Sequence, residues 1–333
     1  MPPPLDRRLP LAAIPTPLER ADRLGAALGM APGALWVKRD DVTGLGGGGN
    51  KARKLEYLCA DALDQGADVL VTGGGPQSNH VRMTAAVSSL LGLDCTVVVA
   101  GPRPETSTGN VLLTEILGAA ILWTGSPKGL DHEEIEAAID ETADRLEAAG
   151  RRPYRIPVGG ATPVGELGYI RAAAELQDQA AEQFGEIELI VVAAGSGGTH
   201  AGLAAGLGDL DRILGVDSGA RSDLDTAVPA KAAEAAALAG RPAPVGTVRI
   251  DHDRVGAGYG APTDECRRAV LLAARSEGLL LDPVYTGKAL AGLVAAREAG
   301  SVGPGTRTVF MHTGGLPALF ARPYATWGRD GAD

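Results

Sequence analysis

The chain has 333 residues, 45% of them hydrophobic and 22% charged, with a formal net charge of −10. That length allows about two domains, and the composition is that of a soluble globular protein. The negative charge argues against nucleic-acid or membrane-surface binding, which need basic patches. No apolar run reaches the ~20 residues of a bilayer span, and the N-terminus lacks the charged and apolar regions of a secretory signal. Cys59, Cys95 and Cys266 are scattered among apolar residues, as buried thiols of a reducing compartment are. A cytoplasmic protein is expected.

In chain order, the glycine run Gly46–Gly49 ends in Asn50-Lys51, where Leu55, Leu58, Cys59 and Leu63 begin the apolar stripe of a helix. Strands are then predicted at 68–72, 95–100 and 120–124, with helices at 78–92, 110–118 and 131–149. The last of these carries Ile135, Ala138, Ile139, Ala143 and Leu146 on one face. After a short extended run at 155–158 and the turn Gly159-Gly160 comes a helix at 163–182. The run LIVVAA at 189–194 is continuously apolar, as a strand buried on both faces is. A helix at 199–207, a strand at 212–216, helices at 223–239 and 263–277, and a strand at 306–311 complete the series. Such alternation implies parallel sheets covered by helices on both faces.

Most of the glycine turns follow a strand and open a helix, the place where ligands collect in open α/β sheets. Lys51, at a helix start and partly desolvated, is a candidate nucleophile or Schiff-base partner. The turn Gly73-Gly74-Gly75-Pro76-Gln77-Ser78-Asn79-His80 offers a helix cap in Ser78 or Asn79. Its hydroxyl, amides and imidazole exceed what capping needs, and free N–H groups at a helix start suit a carboxylate. Gly195-Ser196-Gly197-Gly198-Thr199-His200 follows the apolar strand and forms an anion nest. His200 stands where a dinucleotide fingerprint needs its last glycine, so a phosphate that is not a nucleotide's fits better. A third cluster combines Leu281–Lys288, with Tyr285 in a polar turn, with His312-Thr313-Gly314-Gly315 and with Tyr259 in a glycine loop. The five histidines show no zinc spacing, and Asp251-His252-Asp253 reads as a solvated turn.

A reactive lysine, a phosphate nest and a carboxylate-binding turn are together what pyridoxal 5′-phosphate (PLP) needs. The combination resembles the tryptophan-synthase-β-like (fold type II) PLP enzymes, and within them the 1-aminocyclopropane-1-carboxylate (ACC) deaminase/D-cysteine desulfhydrase family. The resemblance runs from Pro15-Thr16-Pro17-Leu18 and Val37–Asp41 through Gly49-Asn50-Lys51, Gln77–His80 and Gly195–Thr199 to Asp282-Pro283-Val284-Tyr285 and His312–Gly315. It implies two open, twisted parallel-sheet α/β domains: a large one from 1–51 and 162–333 and a small one, 52–161, inserted in it. It also implies a homodimer, with PLP in the cleft and Lys51 as the Schiff-base lysine and Cα base. Lys54 would be structural, Asn79 would lie beside the cofactor, and Gly195, Ser196, Gly197, Gly198 and Thr199 would hold its phosphate. Ser78, Asn79 and His80 would grip the substrate carboxylate, Tyr259 and Tyr285 would be active-site tyrosines, and Thr313 would meet the pyridine nitrogen.

Ring-opening deaminases carry a glutamate after the tyrosine; Thr286 stands there in this chain. The resemblance places its hydroxyl at the cofactor and favours β-elimination from a cysteine-like amino acid, D-cysteine first. Ring-opening deamination, sulfite elimination from cysteate, serine dehydration and a non-catalytic PLP- or metabolite-binding protein are the alternatives. Gly75-Pro76 and Met83 depart from the family's usual residues beside the carboxylate grip.

Overall fold

The computed structural model describes residues 4–126, 130–322 and 324–327. Two sheets organise it. The larger uses β1 (Leu18–Arg20), β2 (Leu35–Lys38), β7 (Leu189–Ala194), β8 (Ile213–Asp217), β9 (Arg249–Asp251) and β10 (Thr308–Met311), in the order β1-β2-β10-β7-β8-β9. The smaller uses β3 (Val69–Gly74), β4 (Asp94–Val99), β5 (Ala120–Trp123) and β6 (Pro153–Arg155), in the order β5-β4-β3-β6. Every pairing is parallel except the edge pair β1–β2. The antiparallel edge was not foreseen, because three residues carry no readable period.

The helices are α1 (Asp22–Ala27), α2 (Lys51–Asp64), α3 (Asn79–Leu91), α4 (Gly109–Ile116), α5 (His132–Ala148), α6 (Pro163–Gln183), α7 (Gly198–Leu207), α8 (Leu224–Leu238), α9 (Asp264–Glu277) and α10 (Thr286–Glu298). Strand β7 shows why its sequence does not alternate in polarity. Leu189, Val191 and Ala193 join Phe310, Val216 and Leu290 on one face, while Ile190 and Val192 join Val309, Ile213 and Leu203 on the other. Both faces are covered, so both must be apolar. In the smaller sheet Leu70 packs on Leu55, Leu58 and Met83 from α2 and α3, and Val69, Val71 and Val98 pack on Ile135 and Ile139 of α5.

Caps fix where the helices begin. Ser78, Asp131, Thr162 and Thr263 each accept the N–H three residues on, from Val81, Glu134, Gly165 and Cys266. The carboxyl ends of β3, β7 and β10 therefore deliver three turns (residues 75–78, 195–197 and 312–315) to one side of the molecule. There they meet the start of α2. None of the described helices is long and apolar enough to cross a membrane.

Candidate active site

The first residue of α2 is Lys51, and the glycine run before it is held from outside. Arg82 of α3 donates to the carbonyl of Gly46 and, at 2.9 Å, to that of Gly48. Gly48 has φ +80°, and a Cβ there would lie 2.0 Å from the Asp41 carbonyl oxygen, so no other residue fits. Asn50 then joins the turns. Its backbone N–H donates to Thr313 O, and its side-chain amide donates to Thr199 Oγ1, both at 3.0 Å. Asn50 lay inside the motif that singled out Lys51, and only the three-dimensional crossing of loops shows its part.

Lys51 keeps some contact with solvent through the cleft, but its amine is enclosed, and burial pushes it down to about 8. No hydrogen bond ties that amine among the described residues. Two other lysines, Lys54 and Lys288, are engaged. Lys54 donates to the Gly159 carbonyl at 3.2 Å, and Lys288 donates to the Val255 carbonyl at 2.7 Å, away from the cleft.

Lys51 opens onto a cleft lined by, among others, Ser78, Asn79, Gly195, Tyr259, Tyr285 and Thr313. Ser78 both caps α3 and faces this cleft, so capping and binding coexist there. The Asn79 carbonyl oxygen accepts from the Asn110 amide at 3.0 Å and from Arg82 at 3.4 Å, which leaves its NH₂ to serve the cleft. His80, Ser196, Gly197 and Thr199 line the cleft too. Gly197 adopts φ +82° as the residue before α7, and no side chain caps that helix, so its first N–H groups are available to an anion. Gly198 lies just behind the lining, with its Cα turned toward Lys54 and Glu166.

The Tyr259 and Tyr285 hydroxyls are 2.5 Å apart, and the rings meet edge to face. A Cβ on Gly75 would come within 2.4 Å of Tyr259 Cε1. Gly75 thus makes room for the tyrosine pair.

Two expected site residues are placed differently. Thr286 is fully buried at the start of α10 and is not part of the cleft lining. Its hydroxyl donates to Asp282 Oδ1 and accepts the Asp282 N–H, both at 2.7 Å, so the turn consumes its polar capacity. His80 lines the cleft, but its one N–H is already spent. Thr72 donates its hydroxyl proton to the Ile156 carbonyl at 2.8 Å and so accepts from His80 Nε2–H at 2.9 Å. Nδ1 is left as a bare acceptor without a partner. Burial, with the cations of Lys51 and Lys54 nearby, pushes the imidazole well below its usual value, so it stays neutral. A neutral acceptor repels a carboxylate. His252 is more than a solvated turn: it bridges Asp217 and Asp225 at 2.9 and 2.8 Å, which raises its basicity. Among the described residues no cluster has the makings of a metal site.

The sequence profile of the pyridoxal-phosphate dependent enzymes matches residues 9–314. D-cysteine desulfhydrases from Salmonella paratyphi B and Salmonella choleraesuis are 44% identical over 324 residues, covering 94% of this chain and 95% of theirs. A crystal structure of an ACC deaminase homologue superposes with a TM-score of 0.85 at 38% identity, covering 96% of this chain and 97% of its own. Threonine deaminase isoform 2 from Solanum lycopersicum shares the fold, with a TM-score of 0.67 at 16% identity over 98% of this chain and 85% of its own. The chain belongs to the pyridoxal-phosphate dependent enzymes of fold type II, in the ACC deaminase/D-cysteine desulfhydrase family. It is a PLP-dependent lyase. The cleft suits that cofactor: an unpaired lysine of lowered basicity faces an uncapped helix N-terminus across a space bounded by aromatic and hydroxyl groups.

Proposed function

We propose that this chain converts D-cysteine and water to pyruvate, hydrogen sulfide and ammonia, breaking the Cβ–S bond and removing the Cα proton. The observation that carries the reading is the meeting of Lys51, the Ser78-Asn79 turn, the 195–199 nest and the Tyr259–Tyr285 pair around one cleft. The relatives named for D-cysteine, 44% identical, support the substrate.

In this reading the N–H groups at 195–199 would hold the cofactor phosphate, with the Lys54 amine beneath them, held well below its ordinary value by burial and by the Lys51 charge. Asn79 and Thr313, which line the same cleft, would contact the ring, and Lys51 would anchor it. Bound PLP supplies the electron sink that makes the Cα proton labile. Everything else falls to the chain. The Ser78 hydroxyl, the Asn79 amide and the first N–H groups of α3 orient the carboxylate of the amino acid. Lys51, neutral at its amine for a large part of the time near pH 8, takes the Cα proton. Tyr285, hydrogen-bonded to Tyr259, would assist proton transfer to the leaving sulfur. The same proposal takes 52–161 as an inserted small domain and the working protein as a homodimer, both drawn from the family resemblance, and as cytoplasmic, drawn from its scattered cysteines and its N-terminal sequence.

Incubating D- and L-cysteine, cysteate, serine and ACC with the PLP-loaded protein, and assaying sulfide, sulfite, pyruvate and 2-oxobutanoate, tests the reading. Sulfide and pyruvate in equal amounts from D-cysteine are expected. 2-Oxobutanoate from ACC as the main product would replace the reading with ring-opening deamination.

A further inference from the structure

Beneath the first residue of α7 lies a carboxyl group that the proposed reaction leaves unused. Glu166, on α6, is fully buried, and neither carboxyl oxygen has a hydrogen-bond partner among the described residues. Its neighbour is Lys54. A Cβ built on Gly198 would lie 2.4 Å from Lys54 Nζ and 2.9 Å from Glu166 Oε1, so both groups meet under the same point of the nest. They nevertheless form no ion pair, and Lys54 donates to the Gly159 carbonyl instead. The other charges facing the carboxyl are Lys231 and Glu234 of α8, with Lys51 beyond Lys54 on α2. Lys231 is itself engaged, donating to the Ala161 carbonyl at 2.9 Å.

A buried carboxylate without a single donor is strongly disfavoured, and a buried carboxylic acid is not. Burial pushes Glu166 up to about 8, against the pull of Lys54 and Lys231. We propose that Glu166 is a positioning residue, held as a neutral acid so that Lys54 stays available to a phosphate monoester bound on the 195–199 nest. This rests on the proposed placement of the cofactor phosphate. Once ionised, Glu166 competes with the phosphate for Lys54 and sets a negative charge under the nest. The phosphate site therefore loosens as pH rises through about 8.

The test uses the full chain stripped of cofactor. Lys51→Ala is introduced into both proteins compared, because that amine lines the same cleft and itself titrates at about 8. The probe is pyridoxine 5′-phosphate. Its dissociation constant is measured calorimetrically from pH 7 to pH 9 for wild type and Glu166→Gln. Wild type should weaken roughly tenfold across that range, as one proton lost above about 8 requires. Glu166→Gln, a permanent neutral mimic, should match wild type at pH 7 and change less than about twofold. A flat wild-type profile overturns the proposal without any variant. So does parallel weakening of both proteins, which would assign the titration to a group other than Glu166. Wild type that binds no probe at pH 7 overturns the placement of the phosphate together with the proposal, whereas parallel weakening overturns the proposal alone.

Discussion

At Lys51 the sequence and the physical chemistry agree, because a lysine that opens a helix beside a glycine run is visible in one dimension and its desolvation follows from the cleft. Its amine, pushed down to about 8 by burial, reacts with a carbonyl only when neutral. Reductive labelling of Lys51 by pyridoxal and cyanoborohydride should therefore rise roughly tenfold per pH unit up to about 8 and then level off. A flat profile between pH 6 and 8 would mean that the amine is not the reacting form. Ser78, Asn79, Tyr259 and Tyr285 were legible for a similar reason: polar or aromatic side chains in glycine turns have few structural uses. Asn50, Glu166 and the tautomer of His80 were not. Each depends on a partner more than 100 residues away, or on Thr72 choosing the tautomer, and no spacing encodes that. Glu166 in the first turn of α6 reads in sequence only as a charge suited to a helix start.

Among the elements, long helices and the strands of four or more apolar residues were read to within about two residues in most cases. The short β1, β2 and β9 and the helix α10 were not. Helix α10 is buried nearly all round its first two turns, from Thr286 to Leu293, so it shows no amphipathic stripe. Its start is set by Asp282, whose carboxylate accepts the N–H groups of Val284, Tyr285 and Thr286 at 2.7–2.9 Å. The Thr286 hydroxyl is engaged in this cap, donating to Asp282 Oδ1 and accepting the Asp282 N–H. Thr286→Val should lower unfolding stability by about 1–3 kcal/mol by leaving a buried carboxylate short of one donor, while Thr286→Ser stays close to wild type. Urea titration measures the first effect. Elimination per folded molecule should remain within about threefold in both. A shift of product toward ring opening, with unchanged stability, would return Thr286 to the cofactor.

Across the whole molecule, the helix that presents Lys51 is fastened to the larger sheet by a buried charge network. Arg53 makes a two-pronged contact with Asp40 at 2.9 Å and binds both oxygens of Glu175, while Lys38 reaches Glu175 and Tyr169 reaches Asp40. Burial alone would raise both carboxyls, but the Arg53 guanidinium overrides it and holds Asp40 and Glu175 below their ordinary values. Their contribution to stability is thus complete above the ordinary carboxylate range. It is lost as the pH falls through that range toward the lowered folded values. Arg53→Met should cost about 3–5 kcal/mol at pH 7 by stranding two buried carboxylates, and should flatten the acid limb of the stability profile between pH 5 and 3. Equal acid sensitivity in mutant and wild type would remove the network from the account.

The central claim is that Lys51, and no other lysine, carries the cofactor at the meeting point of the three turns. Borohydride reduction of the PLP-loaded protein, followed by peptide mapping, tests it most directly. One pyridoxyl group on the peptide containing Lys51 is the predicted result, with Lys51→Ala taking up none covalently. A label on Lys54 or Lys288 would contradict it.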